Sequence, residues 1–106
     1  MGDMESICFQ IISNVGTAKS LLIEAMEIAR EYNFDEAESK INEANSYIIT
    51  AHKVHAQLIQ QEAKGEKIPF SLLLMHAEDQ FMSVETIKSL TNEIINLQKK
   101  LFNKNI

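Results

Sequence analysis

Residues 4–32 read MESICFQIISNVGTAKSLLIEAMEIAREY, and this stretch decides the fold class. Met4, Cys8, Ile11, Val15, Ala18, Leu22, Ala25, Ala29 and Tyr32 follow one another at alternating steps of four and three. All are apolar or aromatic, so they form an unbroken heptad seam on one face of a helix. Ile7, Leu21 and Ile28 widen the seam to a stripe that needs a core to bury it. Asp3 has the side chain of an N-cap. Gly16 costs about 1 kcal/mol relative to alanine inside a helix, which predicts close packing against a neighbour at that point. Cys8 lies on the seam and reads as a small core residue rather than a nucleophile. The helix should end at Tyr32-Asn33, because asparagine tolerates the left-handed conformation of a helix terminus.

Working outward, the same rhythm recurs twice. Asp35 with Glu38 forms a capping-box signature, predicting a second helix over 35–63. Its seam runs through Ala37, Ile41, Ala44, Ile48, Ala51, His55 and Leu58, preceded by Phe34 and flanked by Val54 and Ile59. Residues 64–69, Lys-Gly-Glu-Lys-Ile-Pro, are a loop: Gly65 can close the helix with a left-handed residue and Pro69 resists continuation. Ser71 caps a third helix that extends to about Phe102, with Ile87, Leu90, Ile94, Leu97 and Leu101 keeping the four-three spacing. The tail 103–106 reads as frayed. Three helices of about 30 residues, each about 45 Å long, joined by short connections give an all-α, antiparallel up-down-up three-helix bundle. The chain is expected to be one domain, 1–106.

Composition narrows the function. Three Gly, one Pro and no Trp in 106 residues leave few turns and favour long helices. A net charge of −5, with Lys99-Lys100 as the densest basic pair, argues against nucleic acid as a partner. One cysteine excludes an internal disulfide framework and fits a cytoplasmic location. No continuous apolar run approaches the roughly 18 residues of a membrane span, and no signal-peptide pattern opens the chain. Met1-Gly2 followed by Ser6 matches a loose myristoylation pattern, but acidic Asp3 and Glu5 favour a plain helix start. No Gly-rich phosphate loop or Walker motif is present, so no ATP site is expected.

The third helix carries an anomaly. Extended backwards from Ile87, its seam meets Ser83, Gln80 and His76 before Leu73. A parallel stripe holds Leu72, Met75, Asp79, Met82 and Thr86, placing one carboxylate between two methionines. A buried charge without a partner is costly, so Asp79 must be solvated, paired or bound to a cation; the plainer reading is that this stripe faces water. His76 has the chemistry of a base, a metal ligand or a phosphoryl acceptor, although a lone helix histidine is more often a packing or surface residue. No nucleophile motif supports hydrolysis. The Glu-x-x-His pair of di-iron bundles is absent. His52 and His55, one turn apart, supply only two ligands for a metal.

Residues 65–82, Gly-Glu-Lys-Ile-Pro-Phe-Ser-Leu-Leu-Leu-Met-His-Ala-Glu-Asp-Gln-Phe-Met, resemble the lactose/cellobiose-type enzyme IIA of the bacterial phosphoenolpyruvate-dependent sugar phosphotransferase system. Their pattern is similar to the family's S-L-(three apolar)-H-A-Q-D-H-L-M segment after a Gly-containing loop. Residues 12–21, Phe34-Asp35-Glu36-Ala37, and Ala51-His52 before Leu58-Ile59 agree in kind, so the resemblance covers nearly the whole chain. It implies a homotrimer of three-helix bundles. It implies that His76 accepts a phosphoryl group from the phosphocarrier HPr and passes it to a cysteine of the IIB component, with the membrane component IIC engaged only indirectly. It implies that Asp79 meets its symmetry mates on the trimer axis around a divalent cation, expected to be magnesium. An apolar stripe around three converging carboxylates bridged by an oxygen-preferring cation is consistent with that expectation.

Two residues depart from the family pattern at the site. Glu78 stands where glutamine is common and adds negative charge near an incoming phosphoryl group. Gln80 stands where histidine is common and removes a second imidazole one turn from His76. His55 occupies a place where relatives often carry another polar residue. Two other readings differ in class: a non-catalytic helical interaction module with a structural His76, and a two-component phosphotransfer domain. The latter is disfavoured because Glu78 and Asp79 replace the Lys and Gly that usually follow its histidine.

Overall fold

The computed structural model describes residues 3–104 and consists of three helices: α1 (Met4–Arg30), α2 (Phe34–Ala63) and α3 (Leu72–Lys104). They form an elongated bundle of 59 × 20 × 18 Å. From His52 to His55 on α2, the partners on α3 run back from Glu85 to Glu78, so the two helices are antiparallel. The expected up-down-up bundle is therefore the observed fold. The Met1-Gly2 pattern lies outside the described residues.

α1 is the central helix. It packs along both α2 and α3, whereas the α2 and α3 backbones approach each other only sparingly. The seam read from the sequence is its buried face: Cys8, Ile11, Val15, Ala18, Leu22, Ala25 and Ala29 have no exposed surface. Ile48, Ala51, Val54 and Leu58 of α2 and Ala77, Phe81 and Val84 of α3 close over it. Length and composition alone would let α1 cross a membrane, with a mean hydropathy of 1.2 over 18 residues. No continuous apolar run marks it, because Ser13, Asn14 and Lys19 interrupt the sequence. A helix that contacts both its neighbours needs such composition.

The ends of the helices follow their caps, with two corrections. Asp3 accepts a hydrogen bond from the Ser6 amide at 2.8 Å, and Ser71 Oγ accepts one from the Leu74 amide at 3.0 Å, as N-caps do. Gly65 takes φ of +88° and ends α2, as its lack of a Cβ permits. The left-handed residue after α1, however, is Tyr32 at φ 63°, not Asn33. Its ring lies 4.8 Å from Phe102 and 6.2 Å from Phe34, centroid to centroid, and this aromatic contact offsets an unfavourable backbone. Asn33, not Asp35, then occupies the N-cap of α2, with its amide donating to Glu36 Oε2 at 2.7 Å. α3 continues to Lys104, two residues past the expected end.

Gly16 also differs from expectation. It faces outward, and a Cβ built there meets no heavy atom within 4 Å. It is not a close-packing glycine within this chain.

The larger correction concerns α3. Its core line is Ala77, Phe81, Val84, Thr91 and Ile95, one position on from the seam read through His76, Gln80, Ser83 and Ile87. One residue turns a helix by about 100°, so the polar positions lie at the edge of the core rather than in it. The same turn places Leu90, Ile94, Leu97 and Leu101 outside.

Candidate functional site

α3 presents four lines of side chains over its first half, each with its own surroundings. Ala77, Phe81 and Val84 point into the core. On the α2 side, Glu78 and Glu85 reach His55 and His52. On the opposite edge stand His76, Gln80 and Ser83, and beyond them the outward stripe of Leu72, Met75, Asp79 and Met82. A period of 3.6 residues separates the lines, so His76 and Asp79 occupy adjacent outward positions while Ala77 between them is buried.

His76 is exposed, and among the described residues its ring makes no hydrogen bond or ion pair. Leu72, which is 82% exposed, and Leu73 form an open apolar shelf beside it. No polar partner among the described residues holds the ring. It is an accessible nitrogen base on a rigid helix.

The other two histidines are engaged elsewhere. His55 Nε2 meets both oxygens of Glu78 at 2.8 Å, with side chains 17% and 37% exposed. His52 Nε2 meets Glu85 Oε1. Their rings bracket Phe81, His55 stacked at 4.3 Å and His52 edge-on at 4.8 Å. In these contacts each imidazole serves its own carboxylate, and no group of three ligands gathers among the described residues. They also relieve the concern over Glu78. Its charge is directed at α2, on the far side of the helix from His76.

Asp79 is exposed and forms no ion pair among the described residues. Met75 and Met82 flank it, both more exposed than buried. One carboxylate cannot hold a cation alone, so a site here requires carboxylates from other copies. Its two free oxygens suit a hard, oxygen-preferring ion. The apolar side chains around it continue as Leu90, Ile94, Leu97 and Leu101, giving an exposed apolar stripe along the whole of α3.

Cys8 is fully buried. Burial, followed by the charge of Glu78, pushes its thiol pKa up and keeps it protonated and unreactive. It is a core residue, as its place on the seam implied.

Sequence reasoning missed one contributor. Lys19 Nζ of α1 donates to Gln80 Oε1 at 2.6 Å. The only available signal was its isolation: Lys19 is the one basic residue before Arg30.

The family described as PTS system, Lactose/Cellobiose specific IIA subunit, matches residues 6–99. The lactose-specific EIIA component of Staphylococcus epidermidis is 39% identical over 98 residues, covering 92% of this chain and 94% of the relative. The oligo-beta-mannoside-specific EIIA component of Bacillus subtilis is 43% identical over 95 residues, covering 90% and 86%. The crystal structure of the cellobiose-specific enzyme IIA from Bacillus anthracis superimposes with a TM-score of 0.94 at 42% identity, covering 98% of this chain and 95% of that one.

Proposed function

This chain belongs to the lactose/cellobiose-specific IIA subunits of the phosphotransferase system, and from that premise we propose that it relays a phosphoryl group through His76. The observation that carries the reading is the contrast among its three histidines. His52 and His55 are each held by a carboxylate, whereas His76 stands exposed and unpartnered beside an apolar shelf. The donor is phospho-HPr. One imidazole nitrogen of His76 attacks phosphorus, and the donor's bond to phosphorus breaks as the new nitrogen–phosphorus bond forms. The thiolate of a IIB cysteine then takes the group, and the imidazole leaves. IIC is reached only through IIB. The chain needs no nucleotide for this, because the energy is already in the phosphoryl bond it receives. Such a relay operates in the cytoplasm.

The stripe around Asp79 supports a second element of the proposal, a homotrimer. Monomers rarely leave a long apolar face in water. Closing three copies along α3 covers Leu72, Met75, Met82, Leu90, Ile94, Leu97 and Leu101 and brings three Asp79 carboxylates together. A divalent cation, magnesium by preference for oxygen ligands, supplies the charge that lets those carboxylates converge. Asp79 is the residue that holds it.

The relay is tested by incubating the protein with phosphoenolpyruvate, the general phosphotransferase enzyme and HPr. Acid-labile, base-stable label is expected on the native protein and none on His76→Ala; an unlabelled native protein, or an equally labelled variant, contradicts it. The cation is tested by sedimentation. Chelation should lower the native mass, and Asp79→Leu should make the mass insensitive to chelator. A native trimer indifferent to chelation would remove Asp79 from the assembly role.

A further inference from the structure

We infer that Lys19 and Gln80 together form the phosphate-oxygen receptor of the His76 site, Lys19 as its cation and Gln80 as its hydrogen-bond donor; this rests on the relay reading. The chemistry of the contact fixes the amide. An ammonium has hydrogens to give and no lone pair, so the Gln80 atom 2.6 Å from Lys19 Nζ must be the oxygen. The Nε2 of Gln80 therefore points away from Lys19, and among the described residues neither of its hydrogens has a partner. Gln80 lies four residues, about 6 Å along the axis, from His76 on the same edge of α3. Its NH2 is thus placed one turn from the nitrogen that carries the phosphoryl group.

The placement of charge points the same way. A phosphohistidine adds negative charge on the side of α3 that already carries the outward-facing Asp79. α3 has no lysine or arginine from Leu72 to Ile87, and α1 has none but Lys19 before Arg30. The single lysine of that long helical span is half-buried against the turn below His76. Its flexible stem lets the ammonium keep Gln80 Oε1 or swing to a phosphoryl oxygen as charge arrives. Gln80 thereby offers its amide hydrogens as donors, and Lys19 holds the amide in the donating orientation.

The test measures the equilibrium of phosphoryl exchange between HPr and the full-length protein, with a thermal melt of each variant. Lys19→Met should shift the equilibrium toward phospho-HPr by about tenfold or more, the order expected when one hydrogen bond to a charged group is lost. Lys19→Arg should restore most of it, since a guanidinium keeps the charge and binds phosphate oxygens. Gln80→Glu should lower phosphorylation further than Lys19→Met without lowering the melting temperature, because its carboxylate captures Lys19 and repels phosphate. Native equilibrium in Lys19→Met, or failure of Lys19→Arg to recover any of the loss at native stability, overturns the inference and leaves the relay standing. A native protein that takes no phosphoryl group overturns both.

Discussion

α1 and α3 have nearly the same hydrophobic rhythm and opposite fates. Every inner seam residue of α1 is buried within its own chain, from Cys8 to Ala29. The apolar residues that keep the same rhythm in the second half of α3, Leu90, Ile94, Leu97 and Leu101, are 41–58% exposed. The cause is the number of neighbours. α1 lies between two helices, while α3 packs on α1 and only sparingly on α2. Hydrophobic periodicity therefore reports that a face must be covered, and it does not report by what. In α1 the cover is intramolecular; in α3 it is the proposed trimer partners.

Three substitutions break or sharpen that contrast. The largest effect belongs to α1: Leu22→Ala empties a fully buried site and should cost about 2–5 kcal/mol in urea unfolding at any protein concentration. Leu97→Asp on α3 should instead act on assembly. Sedimentation should fall from about three times the chain mass to the 12.0 kDa of one chain, with far-ultraviolet helicity retained. Its stability loss should be about 1–3 kcal/mol and vanish on dilution, because mass action couples association to folding. If Leu97→Asp unfolds a dilute protein as strongly as Leu22→Ala, the two helices are not different in kind. The smallest effect falls on the α2–α3 side. Glu78→Gln removes a pair that is partly open to solvent and should cost less than about 1 kcal/mol, with the difference shrinking in high salt.

Much of this molecule is legible in its sequence because local rules decide it. The α1 seam, the Asp3 and Ser71 caps and the left-handed Gly65 each follow from a few adjacent residues. What could not be read depends on register between helices. The one-position shift of the α3 core arises because its apolar residues serve two faces, and periodicity finds only their average direction. The His55–Glu78 and Lys19–Gln80 contacts join residues 23 and 61 positions apart, so no spacing announces them. Tyr32 took the left-handed position from Asn33 because Phe34 and Phe102 were there to receive its ring, a tertiary effect that outweighs local preference. At the site, the break in the apolar seam of α3 singled out His76 and Asp79, and the resemblance to the family gave them their expected roles. Their separation into an accessible base and an outward-facing carboxylate follows from the turn of the helix.

The contrast among the three histidines can be read directly. Protein labelled with nitrogen-15 and phosphorylated through HPr would be observed by long-range proton–nitrogen NMR of the imidazole rings. The account predicts that one ring nitrogen of His76 shifts and couples to phosphorus while the His52 and His55 rings keep no phosphorus coupling. Phosphorus on His52 or His55, or on none of the three, would contradict it.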